Sequence, residues 1–214
     1  MITSNWFMNR IIIIGNGSKA LTNENGKFID ESDIVIRLNN FKIDGFEKYV
    51  GTKIDIYSCW SKILECCKLS KEQRYSLWKQ TIAEPITENF EKVFAPNDVD
   101  FDRLKSVLFL WTKNKDDKIL KECSFYDKIK VLDFDVDMDY STGFRTILYC
   151  LHHFKNEKIY ITGFDSFMKS GWYWDVYGLT NNIQRTENFT DGHPWLIECK
   201  KLNEMIKSKT LILI

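Results

Sequence analysis

Residues 10–20 read RIIIIGNGSKA, a β-branched run that ends at two closely spaced glycines. Arg10 and the four isoleucines after it predict a strand over residues 10–14 that is buried on both faces, as in a parallel sheet. Glycines directly after such a strand let the backbone turn sharply and approach a ligand. The stretch therefore predicts the first strand of an α/β fold, with a ligand-binding turn formed by Gly15, Asn16, Gly17 and Ser18.

The rest of the chain alternates short strand patterns with longer helical ones. Further strands are predicted at residues 33–37, 53–57, 107–111, 129–132 and 158–162. Helices are predicted at residues 71–82, 142–154 and 194–207. This alternation predicts one Rossmann-like domain over residues 1–214, with a mostly parallel sheet flanked by helices. Ligands of such sheets bind beyond the carboxyl ends of the strands, so we expect functional residues in the loops after Ile14, Ile36, Tyr57 and Ile161.

The composition argues against several classes of protein. The 214 residues include 30 basic and 30 acidic side chains, so no overall field draws the chain to nucleic acid or to an anionic membrane. We expect no transmembrane segment and no signal peptide, because the apolar runs are too short. The six cysteines form no CxxC pair and have no histidine at zinc-finger spacing. We therefore expect reduced thiols and a cytoplasmic protein, and the richness in Lys, Ile and Asn suits a microbial or viral source.

Arg37 and Asn39 close the second predicted strand, two residues apart and therefore on the same side. An NAD-binding domain has an acidic side chain at this place to hold the ribose, so the two residues argue against that cofactor. The amide of Asn39 can pair with a base or a ribose. Arg37 fits a ligand phosphate or a purely structural partner equally well. Both are predicted ligand-binding residues, and Asn39 is the stronger candidate.

The residues YSTG at 140–143 precede a helical pattern. Ser141 and Thr142 can cap a helix, and their backbone amides with that of Gly143 can bind an anion. Simple capping of the helix explains the residues Ser-Thr-Gly equally well.

After the next strand, Gly163 and Asp165 open a long loop.

Aromatic residues crowd that long loop. They favour stacking on a sugar or a closing lid, although half-buried packing is the common alternative. The aromatic residues concerned are Trp172, Tyr173, Trp174 and Tyr177.

His193 ends the loop, directly before Pro194 at a predicted helix start. A helix amino end disfavours imidazolium, so His193 would stay neutral and could accept a proton as a general base. The two other histidines, His152 and His153, lie in a helical pattern and are typical of packing or surface positions.

Taken together, these segments resemble the sialylmotifs of animal-type sialyltransferases, glycosyltransferase family 29, and they occur in that family's order. Residues 11–57 are similar to the large motif, residues 140–167 to the small motif, and residues 193–198 to the very short motif H-x-x-x-x-E. The resemblance implies a variant of the GT-A fold and a metal-independent, inverting transferase. Its substrates would be a nucleotide-sugar donor, CMP-sialic acid, and a glycan acceptor.

The resemblance also implies roles for individual residues. Asn16 and Asn39 would contact the CMP donor, and residues 141–143 would hold its cytidine or its carboxylate. His193 would deprotonate the acceptor hydroxyl, and Glu198 would support either His193 or the helix that follows it.

Two departures from the family pattern bear on mechanism. The family's short motif carries a histidine assigned to the donor phosphate, whereas residues 171–174 here read GWYW. Bacterial sialyltransferases of family 42 use tyrosine hydroxyls on the phosphate, so Tyr173 or Tyr177 would act in this way, beside Trp172 as a donor contact. The family's cysteine pair is also missing: Arg10 and Ile11 stand near its first position and Phe154 near its second, which agrees with a reducing compartment.

Other functions stay open. The run DFDVDMD at residues 133–139 could bind manganese and the diphosphate of a UDP or GDP sugar, as D-x-D motifs do in many GT-A transferases. A solvated turn is the alternative for these aspartates. The chain could also be a non-catalytic nucleotide or glycan binder, although such a protein would not need His193. An NAD(P) enzyme ranks last.

Overall fold

The computed structural model describes residues 9–39, 41–59, 106–109, 130–132, 140–165 and 194–214. Within these ranges, seven strands form one sheet in the order β5-β4-β3-β2-β1-β6-β7, and every neighbouring pair is parallel. The strands are β1 Arg10–Ile14, β2 Ile34–Leu38, β3 Ile56–Cys59, β4 Ser106–Phe109, β5 Lys130–Leu132, β6 Lys158–Thr162 and β7 Ile212–Leu213. The predicted α/β fold with a mostly parallel sheet is confirmed.

Helical segments connect the strands at both faces of the sheet. A 3₁₀ turn, Ser18–Leu21, and two short helices, α1 Gly26–Asp30 and α2 Glu47–Val50, follow the first two strands. The longer helices are α3 Thr142–His153 and α4 Trp195–Lys207. In the part of the chain that the structure describes, no helix is long and apolar enough to cross a membrane.

The isoleucine run of β1 supplies the core on both faces of the sheet. Ile12 and Ile14 pack on the face covered by α1 and α2, whereas Ile11 and Ile13 pack on the face covered by α3 and α4. All four side chains are at most 1% exposed. Burying each of them stabilises the fold by about 2 kcal/mol, which is why a run without alternation forms the central strand.

Most predicted elements agree with the structure to within a few residues. β1 and β6 have the predicted bounds, and β2, β4, β5, α3 and α4 are shifted at their ends by two residues at most. The predicted strand at 53–57 is wrong at its start, because β3 begins at Ile56. Before it, Asp30 Oδ1 accepts hydrogen bonds from the backbone N–H groups of Thr52 and Lys53, at 2.7 and 2.8 Å, which removes them from strand pairing. The helix predicted at 71–82 lies outside the described residues.

Candidate active site

The site lies where the direction of strand addition reverses. The chain adds β2 to β5 on one side of β1 and then places β6 on the other side. In an open parallel sheet this arrangement leaves a crevice beyond the carboxyl ends of the two flanking strands, here β1 and β6. The loops that follow these two strands were both predicted to carry ligand-binding residues.

Gly15 and Gly163 bring the two loops into backbone contact. The N–H of Gly15 donates to the carbonyl of Thr162, and the N–H of Gly17 donates to the carbonyl of Gly163, both at 2.8 Å. A Cβ atom on Gly15 would lie 2.4 Å from the carbonyl oxygen of Gly163, and Gly163 has a φ of 70°. Both positions therefore require glycine, because one backbone approaches the other and Gly163 is left-handed.

Asn16 extends from this contact towards β2. Its Nδ2 donates to the carbonyl of Leu38 at 3.0 Å, which ties the loop after β1 to the end of β2. Its Oδ1 is buried and has no hydrogen-bond partner within the described ranges. Buried acceptors without a partner are uncommon in proteins, so Asn16 offers a ligand an acceptor that the protein itself does not use.

Asn39 follows the last residue of β2 in a left-handed conformation, with a φ of 44°. Its N–H donates to the carbonyl of Ser58 at 2.9 Å, so the backbone there is held by β3. Asparagine tolerates this conformation better than most residues. The expectation that strand alternation points Arg37 and Asn39 to the same side is wrong, because Asn39 is no longer extended.

Arg37 takes the structural one of the two roles that the sequence left open. The side chain is 0% exposed. Its Nη2 donates to the carbonyls of Val50 and Gly51 at 2.8 and 3.0 Å, and its Nε donates to the carbonyl of Lys53 at 3.0 Å. These carbonyls belong to the end of α2 and the segment after it, where a basic side chain is favourable. These hydrogen bonds are all made inside the protein, and a ligand contact of Arg37 stays a prediction.

Ser18 and Asp165 also bind each other rather than presenting open groups. The hydroxyl of Ser18 donates to Asp165 Oδ2, and the backbone N–H of Lys19 donates to Asp165 Oδ1, both at 3.0 Å. The carboxylate of Asp165 thus occupies the amino end of the turn after β1. A direct contact of Ser18 or Asp165 with a ligand stays a prediction.

Ser141 and Glu198 join the amino end of α3 to the first turn of α4. The backbone N–H of Ser141 donates to Glu198 Oε1 at 2.6 Å, and its hydroxyl donates to Oε2 at 2.7 Å. The same hydroxyl oxygen accepts the N–H of Phe144 at 3.3 Å, so Ser141 is the helix N-cap. Glu198 is 0% exposed. Glu198 therefore holds the start of α3, a role that the sequence did not suggest, and its support of His193 stays a prediction.

Within the YSTG segment, the backbone N–H groups of Thr142 and Gly143 are the ones available to a ligand. Among the described residues, no hydrogen bond uses the backbone N–H of either residue. A Cβ atom on Gly143 would lie 3.0 Å from the ring of Phe164 and 3.2 Å from Leu38, so the start of α3 packs between the ends of β2 and β6. Two open amides at the start of a 12-residue helix suit an anionic group.

The sequence did not single out Thr146, which fixes the start of α3 against β3. Its hydroxyl donates to the carbonyl of Thr142 at 2.7 Å and lies 2.7 Å from the hydroxyl of Ser58. Because Thr146 donates to Thr142, Ser58 must donate to Thr146. A threonine four residues into a helix was a weak signal, since its partner is 88 residues away.

Four predicted site residues lie outside the described residues: Trp172, Tyr173, Tyr177 and His193. The aspartates at 133–139 lie outside as well. Within the described ranges, no three His, Cys, Asp or Glu side chains lie close enough together to hold a metal ion. The helix predicted after His193 is confirmed, with Pro194 as its N-cap and Trp195 as its first residue.

The fold is that of an α/β protein with a parallel sheet whose strand order reverses between β1 and β6. Residues 4–210 match the sequence model of glycosyltransferase family 29 (sialyltransferase), and the chain belongs to this family. The resemblance found in the motifs is thereby confirmed.

Individual relatives match shorter segments. A β-1,6-galactosyltransferase of Arabidopsis thaliana, GALT29A, is 46% identical over 55 residues, which cover 26% of this chain and 14% of the relative. A rat CMP-N-acetylneuraminate-β-1,4-galactoside α-2,3-sialyltransferase is 52% identical over 44 residues, which cover 21% and 12%. The human α-N-acetylgalactosaminide α-2,6-sialyltransferase 2 is 31% identical over 101 residues, which cover 46% and 25%. The matched segments thus span a quarter of these relatives at most.

The fold has a counterpart among solved structures. A mammalian sialyltransferase in complex with Gal-β-1-3GalNAc-ortho-nitrophenol superimposes with a TM-score of 0.59 at 15% identity, over 97% of this chain and 69% of that one. At this identity the likeness supports the fold alone.

Proposed function

We propose that this protein is a sialyltransferase that moves sialic acid from CMP-sialic acid to a glycan hydroxyl with inversion at the anomeric carbon. The observation that carries the proposal is the convergence of two motif segments at one crevice in a chain of this family. Asn16 touches the end of β2 directly, and Gly143 packs against the same Leu38. The groups expected to contact the donor therefore lie together.

The chemistry of these groups suits a monophosphate nucleotide. Asn16 Oδ1 can accept from a ribose hydroxyl or a cytosine amine, and the Thr142 and Gly143 amides can donate to the phosphate or to the sialic acid carboxylate. The bond from the anomeric carbon to phosphate breaks readily. The enzyme then has to position the acceptor, remove one proton and stabilise the departing phosphate. We assign proton removal to His193 and phosphate contact to Tyr173 or Tyr177.

We further propose that transfer needs no metal and takes place in the cytoplasm. Support for the first point comes from the large-motif match together with a leaving group that carries a single phosphate. The cytoplasmic location is supported by the motif positions at which the family has a cysteine pair, because this chain has no cysteine at either of them. Cys150 and Cys199 form no disulfide within the described ranges, and burial raises the pKa of both thiols.

A second candidate is the transfer of a different sugar. The match to the Arabidopsis galactosyltransferase favours this candidate, because a transferase named for another sugar is among the relatives of this chain as well as the sialyltransferases. Such a reaction would use another nucleotide sugar, and a diphosphate donor would bring the aspartates at 133–139 and a metal ion into consideration. A non-catalytic nucleotide or glycan binder is the remaining alternative.

One assay separates these candidates. The purified protein is incubated with CMP-sialic acid or UDP-galactose and with acceptors that end in galactose or sialic acid, with EDTA in one series and manganese in another. Release of CMP with a gain in acceptor mass in EDTA is the result we expect. Transfer only from UDP-galactose with manganese would establish the second candidate, and tight CMP binding without turnover would indicate a binder.

Asn39→Ala is expected to weaken CMP binding about tenfold, the effect of one lost hydrogen bond to a ligand. The measurement is titration calorimetry with CMP. Alanine also has to adopt the left-handed φ of 44° that asparagine occupies, which adds strain.

Asn39→Gly is the matched control, because glycine adopts this φ without strain and also lacks the amide. Glycine and alanine variants that bind CMP equally weakly, with the glycine variant melting higher, would assign the loss to the side chain. Normal CMP binding by Asn39→Gly would show that Asn39 serves the backbone and does not contact the donor.

A further inference from the structure

We propose that Asp165 is a positioning residue, whose carboxylate holds the turn after β1 against the loop after β6 and thereby fixes Asn16 in the donor subsite. The contacts of Asp165 with Ser18 and Lys19 are called the Asp165 latch below. The proposal rests on the proposed function where it concerns the donor, and on geometry alone where it concerns the latch.

The latch joins two segments that are far apart in the chain. Asp165 lies 147 residues after Ser18 and 146 after Lys19, and both of its carboxylate oxygens accept hydrogen bonds from the turn. The N–H of Lys19 lies in the first turn of a 3₁₀ helix, whose amino end favours a negative charge. A carboxylate that accepts from a hydroxyl and a backbone amide makes stronger hydrogen bonds than a neutral side chain would.

The carboxylate of Asp165 packs directly against Gly17. A Cβ atom on Gly17 would lie 2.5 Å from Asp165 Cγ and 2.6 Å from Oδ2. Position 17 therefore requires glycine, because the Asp165 carboxylate occupies the space that a side chain there would need. Since that carboxylate already accepts the N–H of Lys19, the donor phosphate has to find its amides elsewhere, and those of Thr142 and Gly143 are open.

The latch matters for Asn16 because of its place in the turn. Before Asn16, the N–H of Gly15 donates to the carbonyl of Thr162. After it, next to the latch, the N–H of Gly17 donates to the carbonyl of Gly163. With both sides held in this way, the Asn16 amide donates to the carbonyl of Leu38. Without the latch, Gly17 keeps the hydrogen bond from its N–H to Gly163 and the one that its carbonyl accepts from Ala20, and its missing side chain gives the turn additional freedom.

The test compares Asp165→Asn with Asp33→Asn. The two substitutions remove the same charge, and Asp33 Oδ2 accepts the backbone N–H of Arg10 at 2.7 Å, at the opposite, amino-terminal edge of the sheet. Calorimetry with CMP is expected to show about five- to tenfold weaker binding for Asp165→Asn, the loss of one charge-assisted hydrogen bond. Asp33→Asn should bind CMP like the wild type.

A second readout does not depend on the ligand. Amide hydrogen exchange of ¹⁵N-labelled protein should be faster at Gly17 and Lys19 in Asp165→Asn and unchanged there in Asp33→Asn. Wild-type CMP affinity in Asp165→Asn would overturn the proposal, as would equal losses of affinity in both variants with equal falls in melting temperature. If the wild type does not bind CMP, the proposed function fails. Exchange then decides the latch alone, and unchanged exchange in Asp165→Asn would overturn it.

Discussion

Glu198→Ala is expected to lower the free energy of unfolding by about 3 kcal/mol, because it removes two hydrogen bonds to a buried carboxylate. Ser141 loses the partner of its N–H and the partner of its hydroxyl in the same step. The N–H of Ser141 is then left buried without an acceptor. For a domain of this size, the corresponding fall in melting temperature is roughly 6–12 °C. Urea unfolding followed by circular dichroism measures the free energy directly.

Two further variants separate this effect from a general loss of charge on α4. Glu204→Ala removes an exposed carboxylate from the same helix and should change the free energy of unfolding by less than about 0.5 kcal/mol. Glu198→Gln keeps the shape and one acceptor oxygen, so it should lie between Glu198→Ala and the wild type. If Glu198→Ala is as stable as Glu204→Ala, Glu198 does not hold α3 and α4 together.

The same variant also affects the donor subsite. Ser141 caps α3, and the open amides of Thr142 and Gly143 come next in the chain. Loss of Glu198 should therefore weaken CMP binding as well as stability, whereas Glu204→Ala should change neither. The very short motif thus contributes a structural residue to the site through Glu198, besides the histidine for which it was recognised.

The sequence was sufficient for the elements whose signal is local. Four isoleucines between Arg10 and Gly15 predict a buried strand without any knowledge of its neighbours, and β1 has the predicted bounds. The short helices α1 and α2, of five and four residues, and the two-residue strand β7 were not predicted, because they are too short to show a periodic pattern.

The roles of several site residues could not be predicted, because they depend on distant partners. Gly17 was expected to approach a ligand, yet the atoms against its Cα belong to Asp165. Ser141 was expected to hold the donor together with Thr142 and Gly143, and its hydroxyl donates to a carboxylate 57 residues later. The partners of Arg37, the carbonyls after α2, could not be read from the sequence either. In each case the contact joins residues that are far apart in the chain, which a local pattern does not show.

His193→Ala is expected to lower kcat roughly 100- to 10,000-fold, the usual contribution of a general base, while CMP binding stays within about twofold of the wild type. The residue directly precedes Pro194 in the chain, and Pro194 is the N-cap of α4. One turn later, Glu198 fixes α4 to Ser141, next to the open amides of α3. The measurement combines steady-state transfer from CMP-sialic acid with calorimetry using CMP.

The pH dependence and a matched variant make the His193 prediction specific. Neutral imidazole accepts the proton, so wild-type kcat/KM should fall as the pH drops below the pKa of the base, ordinarily about 6.5 for histidine. His193→Ala should lose this limb of the profile, and added imidazole should restore part of the rate. His153→Ala removes an exposed histidine from the far end of α3 and should leave rate and profile unchanged. Near-normal turnover by His193→Ala would exclude His193 as the base and direct the search to the tyrosines at 173 and 177.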